Sequence, residues 1–184
     1  MSIGREAFSG ASALKTINLP DKISYMGQDV LWGCKSLKSI TIPKGISVLP
    51  VYFCGSATSL EEVIFHPGIR EIKENAFRNC SSLKNVELPY GIETIGNYSF
   101  KDCKSLASVN LPSTLTTVGY FVFDGCSSLA EVSVPASITE CGRGMFYDCI
   151  GLKKAVLNSG IRTVPEGMFS GCENLEEVQF PESI

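Results

Sequence analysis

The chain has 184 residues, of which 44% are hydrophobic and 19% charged, and its net charge is −3. This composition is too apolar for a disordered chain, and the negative net charge argues against nucleic-acid binding. No apolar stretch approaches the roughly 18 residues of a transmembrane helix, and the first residues lack the basic and apolar segments of a signal peptide, which leaves the location of the protein open.

The sequence repeats every 23 residues from end to end, without an insertion or deletion. We count the positions of each repeat from 0, with Ile23 at position 0. Position 14 is leucine in all eight repeats, positions 17 and 19 are apolar throughout, and position 20 is proline in six repeats. Because chance does not produce eight leucines in phase, we predict a single domain over residues 1–184 that consists of eight repeats. The leucine column is Leu14, Leu37, Leu60, Leu83, Leu106, Leu129, Leu152 and Leu175.

Each repeat predicts the same elements in chain order. Glycine at position 4, for example Gly27 and Gly96, predicts a turn with positive φ. Apolar residues at positions 7, 8, 11 and 14 have helix-like spacing, which predicts a short helical or 3₁₀ turn. The alternation around positions 17 and 19 predicts a short strand with one buried face, and the following proline ends that strand.

A single coil of this kind cannot bury its apolar stripe. Stacked coils can bury it, and their strands then form one parallel sheet. At about 4.8 Å per stacked strand, the repeats make a rod roughly 40 Å long. We therefore predict a repeat solenoid.

Residues 92–112 show the repeat pattern nearly intact. They read IETIGNYSFKDCKSLASVNLP, which follows I-x-x-I-G-x-x-A-F-x-x-C-x-x-L-x-x-V-x-L-P. This pattern, which extends over the whole chain, resembles the BspA-like, or Treponema-type, class of leucine-rich repeat. The resemblance implies a leucine-rich-repeat solenoid of the α/β type, with one parallel β-sheet on its concave side and short 3₁₀ or helical turns and loops on its convex side.

The same resemblance carries an expectation about function. Members of this class are typically cell-surface or secreted proteins of host-associated bacteria and some protist parasites, with roles in adhesion and protein binding and without catalysis. We therefore expect a non-catalytic module that recognises a host or extracellular-matrix protein or a glycan, without nucleic acid and without membrane insertion of this segment. The alternative is a structural spacer that has no ligand of its own.

Eight cysteines are present, and six of them occupy position 11. Ala57 interrupts this column, so that Cys34 lies two rungs from Cys80, roughly 9.5 Å at ~4.8 Å per rung and beyond the ~7 Å limit for a disulfide. Neighbouring side chains in the column point the same way into the core. We predict free buried thiols that pack as small hydrophobes, and no zinc site, because clustered ligands with C-x-x-C-like spacing are absent from the sequence.

Catalysis has little support in the sequence. The phosphate-binding motif G-x-x-x-x-G-K-[ST], the nucleophile motif G-x-S-x-G and the zinc motif H-E-x-x-H are all absent from it. With a single histidine, His66, a histidine metal cage or a histidine-dependent triad is not expected. We expect neither an enzyme nor a bound cofactor or metal.

The outward side of the predicted sheet is the first candidate for ligand binding. If positions 17 and 19 face inward, positions 16 and 18 face outward, and they are mostly small and polar. This face is interpreted either as a groove for a protein or glycan ligand or as an unspecialised solvated surface. Its candidate residues are Glu62, Ile64, Asn85, Glu87, Ser108, Asn110, Glu131, Ser133, Lys154 and Val156.

Aromatic residues at the outward-looking positions 5, 6 and 9 form the alternative candidate. Exposed aromatic residues are effective anchors for a binding partner. In the other interpretation, each ring folds over its own turn and covers the edge of the core. These residues are Trp32, Tyr52, Tyr98, Tyr120, Phe121 and Tyr147.

The two ends of the chain do not look like the ends of a solenoid. The chain starts inside one repeat at Met1 and stops on position 0 of another, Ile184. A complete solenoid normally carries polar caps, and none is evident in the sequence. We therefore expect a piece of a longer array whose ends expose core residues, and we expect either end-to-end association or frayed terminal repeats.

Overall fold

The computed structural model describes residues 1–158 and 163–182, so that the position-0 residues Ile161 and Ile184 lie outside the described part. The chain winds as a parallel β-solenoid whose strands pair from one repeat to the next. Paired residues are 23 positions apart, for example Ser39 with Glu62 and Val48 with Glu71. The predicted solenoid of 23-residue repeats is confirmed.

The strands of the described residues are short and fall at two places in the repeat. In chain order they are β1 (Ser2–Ile3), β2 (Tyr25–Met26), β3 (Ser39–Thr41), β4 (Val48–Leu49), β5 (Glu62–Ile64), β6 (Glu71–Ile72), β7 (Asn85–Glu87), β8 (Thr94–Ile95), β9 (Ser108–Asn110), β10 (Thr117–Val118), β11 (Glu131–Val134), β12 (Glu140–Cys141), β13 (Lys154–Leu157) and β14 (Glu177–Gln179). We call the strands that begin at position 16 the first ladder and those at positions 2 and 3 the second ladder.

The first ladder is the sheet that the sequence predicts. Strand β3 pairs with β5, β7 with β9, and β13 lies between β11 and β14. In β3, β5 and β7 the central residue at position 17 is buried while both neighbours are exposed, because side chains alternate along a strand. This alternation confirms which positions face the core.

The second ladder was not predicted from the sequence. Strand β1 pairs with β2, and β4, β6, β8, β10 and β12 lie side by side in that order. Position 3 faces the core, as Leu49, Ile72 and Ile95 do, with none of their surface exposed. Two residues are too few to produce a recognisable period of two, so that periodicity alone misses these strands.

The turns between the two ladders do not form the helical turns that the apolar spacing predicts. No helix occurs in the described part of the chain. In one repeat the N–H groups of residues 76, 78 and 80 donate to carbonyls three residues earlier, but those of residues 75, 77 and 79 donate to residues 97, 99 and 101 of the next repeat. Because every second N–H group donates to the next repeat, consecutive helical hydrogen bonds within one repeat cannot form.

Phenylalanine rings form the centre of the core. From Phe77 to Phe169, the rings at position 8 stack from repeat to repeat with centroids 5.3–5.8 Å apart and interplanar angles of 5–12°. In the preceding repeat Phe53 stands at position 7 and Cys54 at position 8, and the Phe53 ring meets Phe77 edge-on at 6.0 Å. Both Phe53 and Cys54 are fully buried, so that the exchange of large and small residue keeps the core closed.

The prediction of positive φ for the glycines at position 4 is wrong. Positive φ occurs instead at positions 6 and 10 of every repeat, for example at Asn75 (56°) and Asn79 (61°). At Gly27, Gly96, Gly119 and Gly142, the glycine at position 4 instead lies where the backbone of the preceding repeat approaches closely. A Cβ atom on Gly96 would lie 2.7 Å from the Glu74 amide nitrogen, and one on Gly27 would lie 2.4 Å from the Arg5 amide nitrogen.

Replacing Gly96 by alanine therefore tests this close approach. We expect Gly96→Ala to lower the free energy of unfolding by about 1–3 kcal/mol, since the added Cβ overlaps backbone that cannot rotate away. Gly4→Ala is the matched control, because a Cβ at this position of the first repeat meets no atom within 4 Å. Urea denaturation of both variants measures the difference, and equal stability would contradict the proposed contact.

All eight cysteines are free, and six are buried, which confirms the predicted thiols. Each cysteine at position 11 donates its S–H to the carbonyl oxygen at position 8 of the preceding repeat, over Sγ–O distances of 3.1–3.3 Å. The Phe77 carbonyl, for example, accepts both the Cys103 thiol and the Cys80 amide. The thiol therefore adds a weak hydrogen bond between repeats that alanine in this column cannot make.

The burial of these thiols predicts slow chemical modification of the native protein. Burial raises the pKa of the Cys80 thiol to about 12 and those of Cys141 and Cys172 to about 11, so that the reactive thiolate is scarce at neutral pH. We expect the half-buried Cys141 and Cys172 to be alkylated first in the native protein and all eight cysteines to react in denaturant. Mass spectrometry after iodoacetamide treatment measures both, and thiols missing after denaturation without reductant would reveal a disulfide.

Candidate functional site

The first ladder places the ten predicted ligand-binding residues on one side of the molecule. They occupy the outward positions of five strands, β5, β7, β9, β11 and β13, two residues on each. Eight of them are exposed, and Lys154 and Val156 are half-buried. We call the outward side chains of the first ladder the strand face.

An open groove with a volume of about 640 Å³ lies at the edge of the strand face, across β3, β5 and β7. Its wall includes charged residues at position 15, which the sequence pattern did not single out, although this column carries a charge in six of the eight repeats. Here the Lys84 ammonium lies 2.7 Å from a Glu61 carboxylate oxygen and lowers the pKa of that carboxyl group. Lys38 is the third charged residue of this column in the groove.

Three glutamates of the strand face are available to a partner. Within the described residues, the carboxylates of Glu62, Glu87 and Glu131 form no hydrogen bond to another side chain and no ion pair, and all three residues are exposed. Ile64 stands on the same strand as Glu62 and exposes 46% of its surface. The groove and its surroundings thus combine unpaired negative charge, lysines and one apolar contact point.

The amide residues of the strand face have structural partners instead. The Asn110 side-chain oxygen accepts a hydrogen bond from the Leu88 amide at 2.7 Å, and its Nδ2 donates to the Leu88 carbonyl at 3.1 Å. This pair continues the main-chain ladder beyond the end of β7. Asn158, which follows the end of β13 and lies outside the strand face, similarly donates to Ser133 Oγ at 3.0 Å and to the Val134 carbonyl at 2.9 Å.

The structure brings three of the six predicted aromatic residues into one stack. Tyr98 and Phe121 are parallel within 3° at a centroid distance of 5.7 Å, and Phe121 meets Tyr147 edge-on at 5.7 Å. The Arg78 guanidinium lies 5.9 Å from the Tyr98 ring centroid, and that of Arg143 lies 5.4 Å from Phe121. These two arginines were not predicted as members of the cluster.

The remaining aromatic residues are only partly covered. Tyr120 exposes 52% of its surface and Trp32 42%. The indole of Trp32 lies against Gly55 of the next repeat, where an added Cβ would be 3.0 Å from Cδ1. The stacked rings of Tyr98, Phe121 and Tyr147 are half-buried against one another, whereas Trp32 and Tyr120 are accessible. Two exposed tyrosines that the sequence pattern did not single out are Tyr25 and Tyr90.

His66 has a structural role. Its Nδ1 accepts a hydrogen bond from the Gly68 amide at 3.0 Å, so that Nε2 carries the proton and donates to the Ile46 carbonyl at 3.0 Å. Across residues 1–158 and 163–182, no three His, Cys, Asp or Glu side chains are grouped to hold a metal ion. The same residues contain no helix of the length and apolarity that crossing a membrane requires.

The chain matches the family model of the BspA type leucine rich repeat region, in six copies that cover residues 1–107 and 70–184. A leucine rich repeat protein of T. pallidum is 33% identical, covers 78% of this chain and 70% of its own, and has a TM-score of 0.76. A leucine-rich repeat protein from Bacteroides ovatus is 32% identical over 100% of this chain and 53% of its own, with a TM-score of 0.78.

A leucine-rich repeat protein from Eubacterium ventriosum shares the fold at 19% identity, with a TM-score of 0.77 over 100% of this chain and 59% of its own. This chain thus spans about half the length of the Bacteroides ovatus protein. No curated protein matches it.

The hydrogen bonds of Asn110 predict a structural effect at this position. We expect Asn110→Ala to lower the free energy of unfolding by about 1–2 kcal/mol, because the Leu88 amide and carbonyl lose their partner. Asn18→Ala is the matched control, since Asn18 occupies the same position of the first repeat and its side chain makes no hydrogen bond to the described residues. Urea denaturation measures both, and a loss of equal size in the two variants would contradict the bridging role.

Proposed function

Because this chain belongs to the BspA type leucine-rich-repeat family, we propose that it is a non-catalytic module that binds another protein through its strand face. The family and the fold support a protein-interaction or repeat module in general. The strand face supports the choice of surface, because it carries the three unpaired glutamates Glu62, Glu87 and Glu131 on its strands β5, β7 and β11.

The chemistry of the face specifies the kind of partner. Carboxylates without internal partners pair favourably with lysine or arginine of another protein, and such pairs mainly set specificity and association rate. Ile64 offers an apolar contact beside these charges. Glu62 lies on the same strand, β5, and Glu87 lies on β7, the next strand of the first ladder. The face therefore fits a protein segment in which basic residues flank an apolar side chain.

We also propose that the module acts at the cell surface or in secreted form, on a host or extracellular-matrix protein. Support comes from the resemblance to a class whose members typically have that location. The free thiols do not indicate whether the protein is secreted or intracellular. The register of the repeats, rather than the redox environment, keeps the cysteine side chains at position 11 parallel and therefore unpaired.

A binding experiment with matched variants tests this proposal. We expect the protein to bind at least one member of a panel of purified extracellular-matrix proteins in surface plasmon resonance. We expect the triple variant Glu62→Gln, Glu87→Gln and Glu131→Gln to bind roughly tenfold more weakly. The control variant Glu93→Gln, Glu140→Gln and Glu173→Gln removes the same charge from exposed glutamates outside the first ladder and should bind normally.

Each result of this experiment has a defined meaning. Equal weakening of both variants would show that net charge, and not the strand face, controls binding. Unchanged affinity of the first variant would remove the strand face as the binding site. Failure of the wild-type protein to retain any panel member would favour the structural spacer.

A further inference from the structure

Two notches outside the strand face each combine an arginine with aromatic rings. Notch A has a volume of about 160 Å³ and is lined by Trp32, Tyr52, Arg78, Ser56 and Asn79. Notch B has a volume of about 300 Å³ and is lined by Tyr98, Tyr120, Phe121 and Arg143. Neither arginine takes part in an ion pair within the described residues.

The guanidinium of Arg78 has more N–H donors than the described residues provide acceptors for it. An arginine side chain carries five N–H donors, and the hydrogen bond of this one within the described residues is from Nη1 to Asn75 Oδ1, at a long 3.4 Å. Its Nε is the one buried side-chain nitrogen or oxygen in the described part of the chain that lacks a partner. A ligand cannot reach this buried Nε, but Nη2 also lacks a partner among the described residues and is not buried, so that Nη2 can donate to an acceptor supplied from outside the chain.

The lining of notch A identifies the chemistry of a ligand. A guanidinium recognises a carboxylate through two parallel hydrogen bonds. The faces of the Trp32 and Tyr52 rings suit the C–H groups of a sugar ring, and Ser56 and Asn79 offer hydrogen bonds to hydroxyl groups. A carboxylated pyranose combines all three features. An aspartate or glutamate side chain would satisfy the arginine but would leave the two rings and the polar rim without contacts.

The repetition of the motif favours a polymer. Arg78 and Arg143 stand three repeats apart, which corresponds to roughly 14 Å along the solenoid, and a chain with regularly spaced carboxylates can reach both notches. Notch B is the weaker subsite, because Glu140 and Glu166 line the groove that adjoins it at Arg143. We propose that notch A, with notch B as a second subsite, binds uronate residues of an acidic polysaccharide.

Trp32 provides a direct probe of notch A because it is the only tryptophan of the chain. We expect oligogalacturonate or hyaluronan oligosaccharides to change the indole fluorescence and to give a binding isotherm in calorimetry. The methyl ester of the bound oligosaccharide and oligoglutamate should produce neither signal. Absence of binding by both uronate probes, equal binding of the methyl ester, or equal binding of oligoglutamate would each overturn the proposal.

Variants locate the binding site. We expect Arg78→Gln to weaken uronate binding roughly tenfold or more, and Trp32→Ala, which removes a half-exposed ring, to weaken it in the same direction. Lys104→Gln removes one positive charge from an exposed residue outside both notches and should leave affinity unchanged. If Arg78→Gln binds as tightly as Lys104→Gln while its circular dichroism spectrum is native, notch A is not the site.

This site is independent of the strand face. The variant Glu62→Gln, Glu87→Gln and Glu131→Gln should bind uronate oligosaccharides as the wild-type protein does. Weakened uronate binding by that variant would assign the polysaccharide to the strand face and overturn the proposal for notch A. If the same variant loses matrix-protein binding, that result tests the proposal for the strand face and not the proposal for notch A.

Discussion

The structure depends on one constraint, which is the fixed register of 23 residues between hydrogen-bonded repeats. The constraint acts in the ladders, where Ser39 lies opposite Glu62, and equally in the turns, where the Phe77 amide donates to the Ser99 carbonyl. Because both regions bond to the next repeat, an inserted residue in either one would shift every later side chain out of its column. The uninterrupted spacing of the sequence is therefore a consequence of backbone hydrogen bonding, and the leucine and phenylalanine columns follow from it.

The features that depend on side-chain burial could be predicted from the sequence. Position 17 is apolar in every repeat, and the structure buries it wholly or partly between exposed or half-buried neighbours in the first ladder. The features that depend on hydrogen bonds between repeats could not be predicted in this way. The spacing of Phe77, Cys80 and Leu83 resembles that of a helix because these side chains share one buried side, yet alternate amides of the segment donate to the next repeat. Apolar spacing reports which residues are buried and does not report where the amides donate.

Glycine illustrates the same distinction. Its presence at position 4 has two physical explanations, a positive φ or a close approach of backbone, and a single sequence does not separate them. The structure shows that Gly96 lies against the backbone of Glu74, whereas positive φ falls at positions that Tyr52, Asn75 and Phe121 occupy. A rule that assigns left-handed conformations to glycine alone therefore fails in this fold, because positions 6 and 10 have positive φ in every repeat, whether glycine or another residue stands there.

The two candidate sites differ in how they can be found. The strand face repeats with the sequence, since positions 16 and 18 of each repeat face outward, and its ten residues could be named without a structure. Notch A is different, because Trp32, Tyr52 and Arg78 come from three consecutive repeats and stand at positions 9, 6 and 9. No single repeat contains the site, and a comparison of repeats with one another treats each of these residues as an isolated departure. A site of this kind exists only where three particular repeats follow one another. The aromatic rings could therefore be named from the sequence, but their association with Arg78 could not.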